Sequence, residues 1–200
     1  MDIYCLLFDG YETLDLMGPV EFLHRIPDAR LHYVSPKGGM VHSRQGFAIE
    51  TQLLERLLPN SVLLVPGGQG TRQLVHSPAF LNNLASWAGQ AETCLAVCTG
   101  SALLAAAGCL DSIAATSNKR AFEWVKSIRP EVKWQPVARW TRDGKFYTSS
   151  GVSAGMDMTL GFIADRYGIE QAEEIAVHTE YVWQKNPAID VFAAVYGYGG

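Results

Sequence analysis

Three short stretches of the chain are apolar at almost every position: IYCLLF at 3–8, SVLLVP at 61–66 and TCLAV at 93–97. Continuous rather than alternating apolarity predicts strands buried on both faces. Further strands are expected over 29–35 (ARLHYVS), closed by Pro36-Lys37-Gly38-Gly39, and over 113–117 (IAATS). The intervening segments read as helices. TLDLMGPVEFLHRI places Pro19 in a first helical turn, with Thr13 or Asp15 as a cap. QLLERLL (52–58) reads as a short helix, and AFLNNLASWAGQ follows the break at Pro78. Another helix runs from Cys98 to near Gly108, and KRAFEWVKSI sets Phe122 and Val125 on one face. Residues 41–51 resemble a small strand pair, and 132–150 a hairpin turning at Asp143-Gly144. Two helices, about 153–167 and 170–184, close the pattern. The aromatic, Gly-rich tail NPAIDVFAAVYGYGG is expected to pack on the body or reach a partner chain.

Strands alternating with helices predict an α/β fold: a doubly wound, mostly parallel sheet in a three-layer sandwich with a small β-hairpin. The length of 200 residues suits one such domain, so 1–200 is read as a single unit. The 16 basic and 20 acidic residues leave a net charge of −4 without a Lys/Arg-rich run, so neither nucleic acid nor an anionic membrane is an expected partner. No apolar run approaches the ~18 residues of a membrane span. MDIYCLLF lacks the basic region and cleavage site of a signal peptide. Cys5, Cys94, Cys98 and Cys109 lie scattered in apolar contexts, which suits a reducing cytoplasm better than a disulfide framework. No Cys/His spacing makes a zinc site, and no metal or other cofactor is expected.

The chemistry centres on LAVCTGSALLAAAG (95–108), where a cysteine stands at the point where a buried strand turns into a helix. Such a turn projects its side chain and sets backbone N–H groups behind it. The helix N-terminus is expected to lower the thiol pKa. In open α/β sheets the functional crevice lies beyond the C-terminal ends of the strands. That topology brings Asp15, Gly67-Gly68 and Cys98 to one edge, with the Gly68 N–H as a second donor for an oxyanion hole. Each feature also has a plain reading: a packing cysteine, a helix cap, a strand-to-helix turn. Asn118 either contacts a ligand or begins a helix. Cys5, Cys94 and Cys109 read as core. Trp87, Trp124, Trp134 and Trp140 read as packing or interface groups, and Glu180, Tyr181 and Trp183 as one face of an amphipathic helix in preference to the lining of a pocket.

The motifs LDLMGP, LLVPGGQG, AVCTGSALLAAAG, AATSNKRAFEWV and GVSAGMDMTLGFIA follow one another across residues 3–184. This set resembles the DJ-1/PfpI superfamily, in particular its isocyanide hydratase branch and the related domains of AraC-type regulators. The resemblance implies a flavodoxin-like fold, usually dimeric. It also implies Cys98 as elbow nucleophile, Asp15 as its acidic partner, and backbone donors at Gly68 and Thr99. Gly67 and Asn118 are expected at the pocket, with Arg44 approaching from a partner subunit. Two departures narrow the chemistry. Asn118 stands where many relatives carry a histidine, and His24, His32, His42, His76 and His178 lie in none of the motifs. A Cys-His protease or amidase is therefore disfavoured. Ala96 replaces the glycine of the glutamine-amidotransferase elbow.

The expected function is a cysteine-dependent hydratase or hydrolase of a small carbon–nitrogen substrate, with isocyanide hydration as its pattern. A redox-sensing protein whose Cys98 is oxidised to a sulfinic acid beside Asp15 is one alternative. A small-molecule-sensing domain is another, although the chain leaves no room for a helix-turn-helix module, which counts against direct DNA binding.

Overall fold

The computed structural model describes residues 1–199. The three apolar runs form β1 (Asp2–Leu6), β5 (Val62–Val65) and β6 (Thr93–Ala96), every residue of which is buried. The remaining strands are β2 (Arg30–Ser35), β3 (Gly39–His42), β4 (Ala48–Leu53), β7 (Ala114–Ala115), β8 (Lys133–Trp134), β9 (Trp140–Asp143) and β10 (Phe146–Ser149). Eight of these make one sheet of order β3-β4-β2-β1-β5-β6-β10-β9. Its pairs are parallel except at the two edges, β3 with β4 and β9 with β10.

The helices are α1 (Thr13–Leu23), α2 (Thr71–Leu74), α3 (Pro78–Gln90), α4 (Gly100–Ala106), α5 (Phe122–Ile128), α6 (Ala154–Tyr167) and α7 (Ile169–His178). α6 packs on both α1 and α7, while α4 packs on α2, α3 and α5. These two groups cover the two faces of the sheet, giving the flavodoxin-like arrangement expected.

Several boundaries depart from the sequence pattern. Residues 52–58 are not helical. Gln52 and Leu53 instead continue β4 and pair with Val34 and Ser35, and the Leu57 N–H donates to the Gln90 side chain. Strand pairing overrode the helical spacing of the leucines. The 113–117 segment contributes only β7, which pairs with β8 in a separate two-stranded sheet. The expected long hairpin shrinks to β9-β10, because β8 is drawn away to β7. Pro19 lies inside α1 rather than in its first turn, since the helix already begins at Thr13. The last helix stops at His178 instead of 184. The Thr179 hydroxyl donates to the Ile175 and Ala176 carbonyls, and Glu180 takes a positive φ of 51°.

No helix of the described residues is long and apolar enough to cross a membrane.

Candidate active site

β1 lies between β2 and β5, so the direction of strand succession reverses beside it. The loops leaving the C-terminal ends of β1, β5 and β6 meet at this reversal, where open sheets hold their ligands. The last two carry Gly67-Gly68 and Cys98, the first leads into Asp15 in the first turn of α1, and the structure brings these residues together. Tyr11 knits the loops by bridging both Ser43 and Gly68.

Cys98 has φ of 56°, a left-handed conformation uncommon for a residue with a side chain. Strain of this kind costs about 1–3 kcal/mol and persists only where the surroundings enforce it. Here two buried hydroxyls do so: Ser101 and Ser117 each donate to the Cys98 carbonyl at 2.9 Å. The facing loop closes tightly on the elbow. A Cβ at Gly67 would lie 2.6 Å from Thr99 N and 2.9 Å from Asp15 Oδ2, so only glycine fits.

Asp15 is not a cap. The N-cap position is Glu12, and the Thr13 N–H and hydroxyl donate to Gln45 Oε1. Asp15 instead turns inward, fully buried, and its Oδ2 accepts the Gly67 N–H at 2.9 Å. Its Oδ1 has no hydrogen-bond partner among the described residues. Burial pushes the carboxyl up to about 8, and the charge of Glu12 adds to the rise. The Gly67 N–H and the Cys98 thiol pull it down. Cys98 responds in the same direction. Burial raises its thiol well above the ordinary value, the Asp15 charge raises it further, and the Thr99 and Val152 N–H groups and the Thr99 hydroxyl draw it back.

The expected lowering of the thiol by the helix N-terminus does not prevail. α4 has only seven residues, and desolvation of the sulfur outweighs its dipole. The two acids therefore titrate as a coupled pair that favours holding protons.

Above the elbow lies a cavity of about 370 Å³, lined by Cys98, Thr99, Gly68 and Asn118 together with charged side chains; Gly67, expected at the pocket, is not among its lining residues. The Gly68 N–H donates to Thr99 Oγ1 at 3.0 Å, and the Thr71 hydroxyl reaches the same oxygen at 3.2 Å. Asn118 begins a short 3-10 turn, its Oδ1 accepting the Ala121 N–H, and it also lines the cavity. Arg44 reaches the cavity of its own chain and stands 3.9 Å from Glu12. Sequence reasoning missed Glu12, Arg72, Arg120 and Val152 as lining residues. Arg72 follows Gly68 by one helical turn, and Arg120 stands just beyond Asn118, so their nearness to strand-end motifs was the available signal. Among the described residues no group of three or more His, Cys, Asp or Glu side chains is placed to hold a metal ion.

The model of the DJ-1/PfpI family matches residues 1–165. The chain belongs to the DJ-1/PfpI family. Among its curated relatives in that family, an isonitrile hydratase of Pseudomonas putida is 33% identical over 184 residues, covering 90% of this chain and 78% of that protein. The HTH-type transcriptional regulator CdhR of Pseudomonas aeruginosa is 28% identical over 182 residues, covering 88% of this chain. The chain spans about half of that regulator, 53% of its length. A solved ThiJ/PfpI family protein from Pseudomonas syringae superposes with a TM-score of 0.80 at 28% identity, covering 90% of this chain and 74% of that one. The similarity thus reaches both an enzyme and regulators.

Proposed function

We propose that the chain is a cysteine-dependent hydratase that adds water to an isonitrile to give an N-substituted formamide. One observation carries the reading: Asp15, a buried carboxyl pushed up towards neutrality and with one oxygen unpartnered, stands against the thiol of the strained Cys98 elbow. An acid held in this way suits proton delivery to a carbon that a sulfur attacks. The likeness to an isonitrile hydratase supports the same chemistry.

In the proposed sequence the pair has lost one proton, and the reactive form is the tautomer in which the remaining proton sits on Asp15 and the sulfur is a thiolate. The sulfur bonds to the terminal isonitrile carbon as Asp15 gives that carbon its proton, forming a thioimidate. Water then adds to the same carbon. Asp15 takes a proton from the water and passes it to the nitrogen. Collapse of the tetrahedral adduct breaks the carbon–sulfur bond, releases the formamide and returns the hydroxyl proton to Asp15. Charge developing on the substrate nitrogen is met by the Thr99 N–H. The Gly68 N–H, expected as the second donor, is instead engaged by Thr99 Oγ1 at 3.0 Å. Purified protein without added cofactor should convert members of an isonitrile panel to formamides. A panel left untouched overturns the reading.

We also propose a homodimer. Leu14, Met17, Met40 and Phe47 are exposed apolar side chains near the corner where Gln45 ties the β3-β4 turn to α1. Sedimentation at the mass of one chain would remove this proposal.

A further inference from the structure

The cavity above Cys98 is polar and positively charged, which a neutral alkyl isonitrile does not call for. Its charged lining is Glu12, Arg44, Arg72 and Arg120. Glu12 answers Arg44 at 3.9 Å. Arg72 and Arg120 make no ion pair with any acidic side chain among the described residues. Arg72 is the better held of the two. It is half-buried on α2, and its guanidinium lies over the Trp124 ring with the central carbon 3.3 Å from the ring centroid. Stacking of this kind fixes the plane of the guanidinium and leaves its N–H edge to meet a planar acceptor. Burial lowers the Arg72 pKa while negative charge on Cys98 raises it, so the two groups share one electrostatic environment.

We propose that Arg72, seconded by Arg120, forms a carboxylate-binding subsite, and that the substrate of Cys98 is a small electrophile bearing a carboxylate. A planar carboxylate matches the fork of a flattened guanidinium, and a half-buried cation without an acid partner gains most from an anion that arrives with the ligand. The proposal rests on Cys98 as the nucleophile, and for turnover on the hydratase reading.

Alkylation of Cys98 separates the two. The same thiolate attacks iodoacetate and iodoacetamide, displacing iodide from each, and the two differ only in carrying a carboxylate or a carboxamide, so the ratio of their rates cancels the reactivity of the sulfur. Cys109, partly buried at the far end of α4, serves as the internal reference. The wild-type iodoacetate-to-iodoacetamide ratio should be higher at Cys98 than at Cys109. Arg72→Gln should lower it about tenfold at Cys98 and leave it unchanged at Cys109. Arg72→Lys, which keeps the charge but loses the planar stack, should fall between.

A Cys98 ratio equal to that of Cys109, or unmoved by Arg72→Gln, overturns the subsite. Should circular dichroism show Arg72→Gln unfolded, Arg120→Gln at an exposed position carries the same test with a smaller expected fall, and an unmoved ratio there overturns it. Turnover gives the second arm: isocyanoacetate should be preferred over methyl isocyanoacetate in kcat/KM, and the preference should vanish in Arg72→Gln. A shifted alkylation ratio with neither compound turned over supports the subsite and counts only against hydration.

Discussion

Asp15 and Asp157 occupy equivalent places in the molecule and meet opposite surroundings. Each is a fully buried carboxylate in the first turn of a helix, and the two helices, α1 and α6, pack against each other. Asp157 is satisfied on every side. Its Oδ2 accepts Arg139 Nε at 2.7 Å, and its Oδ1 accepts the Tyr181 hydroxyl at 3.0 Å and the Gln184 N–H at 2.8 Å. Arg139 also faces Asp190 at 3.6 Å, so the cluster ties the chain beyond α7 to the body. Asp15 receives one backbone N–H and leaves an oxygen bare. No cation reaches it within ion-pairing distance among the described residues. A buried carboxylate given a guanidinium and two further donors fastens the fold, whereas one denied them holds its proton to higher pH.

The largest expected effect lies on the Asp15 side. Asp15→Asn is nearly isosteric and can still hydrogen-bond, but it cannot carry a proton. Formamide production should fall by about 10²–10⁴-fold while the fold persists, and Cys98→Ala should abolish it. Turnover measured beside circular dichroism checks both. Unaltered activity in Asp15→Asn would reduce Asp15 to a packing group and erase the distinction from Asp157.

The Asp157 side should break in stability instead. Asp157→Ala leaves Arg139 half-compensated and frees the tail anchored through Tyr181 and Gln184. The expected loss is about 3–5 kcal/mol, read by urea denaturation. Because Asp157 does not line the cavity, the alkylation of Cys98 in the folded fraction should change little. Loss of Cys98 reactivity without loss of stability would mean that Asp157 belongs to the chemistry after all.

The contrast was only half legible in the chain. Asp15, Gly67, Gly68 and Cys98 follow apolar strands, and strand ends in a parallel sheet converge whatever the side-chain details. Asp157 gives no such signal, because its partners Arg139, Tyr181 and Gln184, and the second acid of Arg139, Asp190, belong to segments that read as hairpin, helix and tail. In the sequence Tyr181 reads as part of a helix face, yet its hydroxyl is claimed by Asp157 once the helix has ended at His178. The proton affinity of the Asp15–Cys98 pair was misjudged for a related reason. A helix N-terminus is visible in a sequence, but the dryness of the sulfur depends on every loop packed around it. Arg72 escaped notice because an arginine in a short helix acquires meaning only when Trp124 lies beneath it.

The expected change that is smallest per step, read one pH unit at a time, is also the most direct measure of how dry the Asp15 site is. With its folded pKa raised from 3.8 to about 8, Asp15 keeps in the native state a proton that the unfolded chain has already released. Between those values the native state binds more protons than the unfolded state, so stability falls as pH rises. The contribution is fully present below about 4 and is lost progressively up to about 8. Asp15→Asn has no such proton. Its stability relative to wild type should therefore climb across this window, by about 1.4 kcal/mol per pH unit in the limit of one whole proton, and level off above it. Taking the difference between the two proteins cancels groups that Asn leaves untouched, among them Lys119, whose amine burial lowers to about 8. Urea midpoints at a series of pH values from 5 to 9 supply the measurement. A difference that stays flat with pH would mean that Asp15 is ionised throughout, and an ionised Asp15 could neither protonate a substrate carbon nor tolerate a thiolate beside it.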